Sequence, residues 1–251
     1  MDLNFFLALV AAPFIGSFVN VVALRYPDWH AALWGRSQCP ACGVTLPALD
    51  LLPIIGFARR RGRCGACGAA ISWRYPLMEL GALAIVIWAA SATSGLLLWA
   101  SCILGWTLLA LTLIDARHKL LPDVLALPLA AAGLAFGLAI DPGESLDRVI
   151  GAGAGYGSFA AIGWAYWRWR GIEGLGLGDA KLFAAAGAWL TWTGLPMVLL
   201  IAAPAALVVT LGRRLLGRGS LALTQEIPFG PYLALGFWVA WLYGQGLNSY
   251  N

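Results

Sequence analysis

Long apolar runs separated by short polar stretches dominate the chain. Eight can be marked, at about 3–24, 77–92, 95–114, 121–140, 148–166, 180–192, 195–212 and 228–243. Most run about 15–22 residues, the length a helix needs to cross a hydrocarbon core of about 30 Å. The sixth is short and rich in Gly and Ala, which predicts a helix that is tilted or packed inside a bundle. The pattern predicts an all-α polytopic membrane protein of about eight transmembrane helices. The first run lacks a basic leading region and a small-residue cleavage site, so it is expected to remain as a transmembrane helix. No internal repeat of fixed period is visible.

Composition agrees. The 251 residues are 61% hydrophobic and 11% charged, against about 45–50% and about 25% in soluble domains. The mean hydropathy is +0.78. The formal net charge of +4 changes the picture only through its placement. With the N-terminus outside, 15 of the 16 basic residues fall in inward segments: Arg25, Arg36, Arg59, Arg60, Arg61, Arg63, Arg74, Arg117, Lys119, Arg168, Arg170, Lys181, Arg213, Arg214 and Arg218. Arg148 alone falls outside. That asymmetry fixes orientation and excludes nucleic acid as the partner of the charge. The run Arg59-Arg60-Arg61-Gly62-Arg63 fits anionic headgroups, and Trp164, Trp167 and Trp169 fit an aromatic belt. The expected organisation is a first transmembrane helix (1–24), a cytoplasmic insert (25–76) and a seven-helix membrane domain (77–251).

The insert carries Cys39-Pro40-Ala41-Cys42 and Cys64-Gly65-Ala66-Cys67, each followed by Gly, with 21 residues between the pairs. Two such knuckles suit four thiolates around one Zn²⁺, and the glycines permit the tight turns. Redox-active pairs and free thiols are the competing readings; a reducing cytoplasm disfavours structural disulfides. Four Cys ligands leave no open position, so the metal is expected to be structural. Cys102 lies alone in an apolar run and reads as a small core hydrophobe.

Ionisable groups inside membrane helices are rare and usually functional. Asp115 ends the third run and Asp179 opens the sixth, after Gly174, Gly176 and Gly178. The topology puts both at the cytoplasmic end of their helices. Two carboxylates sharing a site cannot easily both ionise and titrate as a unit. One then takes a proton from water while the other protonates a peptide carbonyl or leaving amine, as aspartic proteolysis requires. The glycines clear the way for an extended substrate backbone. Asp179 also fits a first-turn helix residue, Asp115 an interfacial partner of Arg117 or Lys119, and Asp123 is a rival carboxylate. Lys181 fits either tuning of the pair or a helix-end contact.

Several segments resemble the prepilin peptidases, membrane aspartic proteases with a Gly-x-Gly-Asp motif. They are Gly16-Ser17-Phe18-Val19-Asn20 with Arg25-Tyr26-Pro27, the two knuckles, Arg74-Tyr75-Pro76-Leu77-Met78-Glu79, Ile114-Asp115 through Leu121-Pro122-Asp123, Gly176-Leu177-Gly178-Asp179, and Ile227-Pro228-Phe229-Gly230-Pro231. The resemblance implies Asp115 and Asp179 as the catalytic pair, with no cofactor for proteolysis. It implies a bacterial inner-membrane enzyme that cuts the basic leader from type IV prepilins or type II secretion pseudopilins, after a Gly, at the cytoplasmic face. It also implies methylation of the new N-terminal amine with S-adenosylmethionine, an activity linked to the four-cysteine insert. Asn20, Arg25, Arg74 and Glu79 are then candidates for methyl-donor or substrate contact, with interface capping or salt bridging as the plainer role. Leu46-Pro47-Ala48-Leu49 departs from the aromatic residues relatives often carry after the first knuckle. A peptidase without methylation, a carboxylate-based ion-coupled transporter and a non-catalytic scaffold are the alternatives.

Overall fold

The computed structural model describes residues 2–28, 30, 34–172, 175–216 and 228–244. Gly174, Arg218 and Ile227, named above, lie outside them. Among the described residues there is no strand, only two isolated bridges, Gln38 with Thr45 and Arg63 with Ala70. The helices are α1 (Leu3–Arg25), α2 (Ile55–Arg59), α3 (Arg74–Ala90), α4 (Gly95–His118), α5 (Asp123–Ile140), α6 (Ser145–Arg170), α7 (Leu177–Leu215) and α8 (Gly230–Tyr243). Among the described residues four, α1, α4, α5 and α7, are long and apolar enough to cross a membrane. Large apolar side chains such as Val10, Leu96 and Leu200 stand exposed along the helices, a surface that suits lipid and not water. The chain is a membrane protein.

Two compact units divide the chain, residues 1–110 and 111–251. In the first, α1 packs on α3. Gly16 makes this possible: a Cβ there would lie 2.6 Å from the Met78 carbonyl oxygen. Trp99 and Trp106 of α4 donate to Asn4 Oδ1 at 3.1 Å and to the Ala82 carbonyl at 3.2 Å. Apolar burial gains little between helices in hydrocarbon, so close packing and such hydrogen bonds carry the association.

In the second unit α7 packs on α5, α6 and α8. The expected sixth and seventh runs are joined here. No loop separates them, only a break at Thr191, where φ is 64° and ψ 177°. The first limb, 177–190, is almost wholly buried from Leu182 onward, as its Gly and Ala content predicted. Its small residues let α6 approach: a Cβ on Gly151 would lie 2.6 Å from the Gly187 carbonyl, and one on Gly155 equally close to that of Phe183. A break leaves carbonyls without their helical donors. Arg148, buried at 2% exposure, reaches across from α6 and donates to the carbonyls of Trp189 at 2.5 Å and Ala188 at 3.4 Å. Trp189 in turn donates to the Leu129 carbonyl of α5 at 2.8 Å. It also packs with Phe136 and Trp241, ring centroids 5.6 and 5.1 Å away. The limb bearing Asp179 is thus held from three sides.

Candidate functional site

Asp115 lies in the last turn of α4 and is 6% exposed. Its Oδ2 has no hydrogen-bond partner among the described residues. A buried, unmatched carboxylate oxygen is costly. Asp179 lies in the first turn of α7, three residues after the helix-leading Gly176, and is half-buried. The two carboxylates are within electrostatic reach of each other.

Local sequence explains the placement. Gly178 packs on Leu121 with no side chain between: a Cβ there would lie 3.0 Å from the Leu121 Cβ. That seats the start of α7 beside the short link from α4 to α5. Lys119 turns this link with φ 52°. Gly176 leaves open space: its nearest neighbour for a Cβ is Asp179 Oδ2, at 3.9 Å.

Lys181 does not face the pair. Its Nζ meets Asp123 Oδ1 at 2.5 Å, tying the first turn of α7 to the first turn of α5. The rival carboxylate and the candidate tuning lysine therefore answer each other.

Gly230 is the residue that reasoning from the sequence did not single out as part of the site. The backbone of Gly230 faces Asp115, and a Cβ there would lie 2.6 Å from Oδ2. Phe229 packs against Phe159 of α6, centroids 6.4 Å apart, and so seats the start of α8. The available signal was a Gly between Phe229 and Pro231 at a helix start.

The four cysteines come together in the first unit. All four sulfurs lie within 4.8 Å of one another, and none is in a disulfide. A tetrahedral ion bound at about 2.3 Å places its ligands about 3.8 Å apart, and Cys39 and Cys67 already stand at 3.9 Å. The knuckles are built alike. The Cys39 amide donates to the Val44 carbonyl and that of Gly43 to Cys39; Cys64 and Ala69, Gly68 and Cys64 repeat the pattern. Gly43 and Gly68 take φ of 71° and 73°, the turn the sequence predicted. The donor set fits a metal ion with all positions filled. The Cys67 and Ala66 amides facing the Cys64 sulfur pull its thiol down to about 6, and the Arg60 guanidinium holds the Asp50 carboxyl below the usual carboxylate range.

The remaining candidates separate. Arg25 donates to the carbonyls of Gly35 and Arg36, at 3.2 and 3.1 Å. Arg74 is exposed at the start of α3. Asn20 is fully buried, and neither side-chain polar atom has a partner among the described residues. Glu79 is buried and accepts the Ile54 amide at 2.6 Å.

Two family models match the chain: the bacterial peptidase A24 N-terminal domain over residues 10–93 and the type IV leader peptidase family over residues 102–211. The chain is 39% identical over 274 residues to a prepilin leader peptidase/N-methyltransferase of Aeromonas salmonicida (strain A449), covering 99% of this chain and 94% of that protein. It is 41% identical to one from Dickeya chrysanthemi, covering 88% and 86%. It is 40% identical to one from Burkholderia pseudomallei (strain K96243), covering 91% and 82%. No solved structure matches the chain significantly.

Proposed function

The chain belongs to the type IV leader peptidase family, and from that premise we propose that it removes the leader peptide from prepilins or pseudopilins and methylates the new N-terminus. The observation that carries the peptidase reading is Asp115: a buried carboxylate with an unmatched oxygen, within electrostatic reach of Asp179. One carboxylate of this dyad takes a proton from water as its oxygen adds to the scissile carbonyl. The other protonates the carbonyl oxygen; as the tetrahedral intermediate collapses it takes a proton back from a hydroxyl, while the first passes the proton it took from water to the departing amine. Gly176, Gly178 and Gly230 keep side chains away from the dyad, and Lys181 with Asp123 holds the helix ends beside it.

The proposed topology has eight spans, with the two limbs of α7 counted separately. The protein sits in the bacterial inner membrane with its N-terminus periplasmic and the dyad at the cytoplasmic side. The proposed division is a first helix (1–24), a zinc-binding cytoplasmic insert (25–76) and a membrane peptidase domain (77–251). Zn²⁺ is held by Cys39, Cys42, Cys64 and Cys67 and organises the insert. S-adenosylmethionine supplies the methyl group. The substrate enters as a hydrophobic helix whose basic leader ends at a Gly beside the dyad. An ion-coupled transporter is less well supported, since both aspartates stand at helix ends and transport sites tend to lie near the midplane.

The test is incubation of the purified protein with a prepilin-like substrate, with and without S-adenosylmethionine, beside the Asp179→Ala variant. A product cut after the leader Gly, heavier by one methylene when the donor is present, supports both activities. No cut by folded protein across several pilin substrates would sink the reading.

A further inference from the structure

Glu79 stands in the second turn of α3 and is 5% exposed. A carboxylate at that depth is costly unless hydrogen bonds engage it. Its Oε2 accepts the Ile54 backbone N–H at 2.6 Å, from 25 residues back along the chain. The Ser17 side chain of α1 is directed at the same carboxyl group. Ile54 has φ 61° and ψ −50°. With the Ile55 amide donating to the Pro53 carbonyl at 2.6 Å this is a positive-φ γ-turn, rare and strained, and it persists only where the surroundings impose it.

From Ile54 a series of contacts reaches the cysteines. The Ala58 amide of α2 donates to the Ile54 carbonyl at 2.9 Å. Just past α2, Arg60 Nε donates to both carboxylate oxygens of Asp50 at 2.9 Å. The second knuckle leans on that guanidinium: a Cβ on Gly65 would lie 2.5 Å from Arg60 Cζ. On the membrane side, a Cβ on Gly16 would lie 2.8 Å from the Glu79 Cα, so α1 rides directly on this turn of α3.

We infer that Glu79 is a positioning residue for methyl transfer. It docks α2, and through Arg60 the second knuckle, onto α1 and α3 by holding Ile54 in its positive-φ turn. Its Oε2 is committed to the protein's own backbone. The inference rests on the bifunctional reading above.

Two readouts on the zinc-loaded full chain test it: amide hydrogen exchange over residues 51–60, and methylated product per cleaved product. Glu79→Met removes the acceptor at similar volume; exchange is expected to speed up at least about tenfold there, and the methylation ratio to fall at least about tenfold. Glu79→Gln keeps an acceptor and should change each less than about threefold. Adding Ile54→Gly, which accepts the positive-φ turn without help, should restore part of both losses. Should Glu79→Met fail to insert, Glu79→Ala removes the same acceptor without its bulk and must speed exchange likewise. Unchanged exchange overturns the docking role whatever the activity. Faster exchange with an unchanged methylation ratio overturns the link to methyl transfer. Absence of methylation in the unsubstituted chain counts against the bifunctional reading instead, while the exchange measurement still judges the docking role.

Discussion

Gly230 lies against the carboxyl group of Asp115, with room for a hydrogen and not for a methyl: a Cβ would come within 2.6 Å of Oδ2. The first turn of one helix thus sets the rotamer of a carboxylate at the end of another. Gly230→Ala is expected to turn the Asp115 carboxyl aside and slow cleavage by roughly a hundredfold, since displacement of a reacting group by about 1 Å costs that much. Cleavage rates on a fixed prepilin-like peptide check it, with thermal unfolding in detergent as the control. A rate close to the parent's would show that Asp115 has freedom the packing does not suggest.

The dyad itself predicts that Asp115→Ala and Asp179→Ala each lower cleavage by roughly a thousandfold or more, given that general acid–base groups contribute about 10²–10⁴ each. Membrane insertion should be unchanged. Mass spectrometry of the product is the measurement, and retained cleavage in either variant would remove that residue from the mechanism.

Lys181 and Asp123 form a partly exposed pair at 2.5 Å, and pairs of this kind contribute about 0–1 kcal/mol. Asp123→Asn and Lys181→Met should therefore each slow cleavage less than about fivefold, and the double variant no more than the worse single. A double-mutant cycle on cleavage rate reads the coupling directly. A loss in Lys181→Met as deep as that of Asp179→Ala would return the lysine to the dyad.

Four sulfurs within 4.8 Å predict one zinc per chain, measurable by elemental analysis. Cys39→Ser, or a strong chelator, should strip the metal and abolish methylation while cleavage stays within about threefold, because a filled four-thiolate site offers no catalytic position. Equal loss of both activities would mean that the insert also supports the peptidase.

Much of this was legible in residue order. The apolar runs mark the helices because lipid demands unbroken stretches with satisfied backbones. The Cys-x-x-Cys pairs each build their own turn from a handful of neighbours, so their meeting could be read locally. The break at Thr191 was legible only in part. The apolar runs already divide near Gly194 and Pro196, but the joined helix with its one non-helical residue depends on Arg148 and Gly151 arriving from α6, a contact some 40 residues away in sequence. Gly230 escaped for the same reason, since its meaning lies in Asp115 and not in its neighbours. The pairing of Lys181 with Asp123 likewise joins two residues whose separate readings were both open.

The break in α7 has a mechanical consequence. An unbroken rod of 39 residues would be about 58 Å long, nearly twice a hydrocarbon core of about 30 Å. With a joint at Thr191 the two limbs make separate crossings on the proposed topology, the second seated on α8 through Gly236 at the Val198 carbonyl. The limb that carries Asp179 stays pinned by its small-residue contacts and by Arg148. On that topology a single helix supplies two crossings, and the chemistry rides on the one held from three sides.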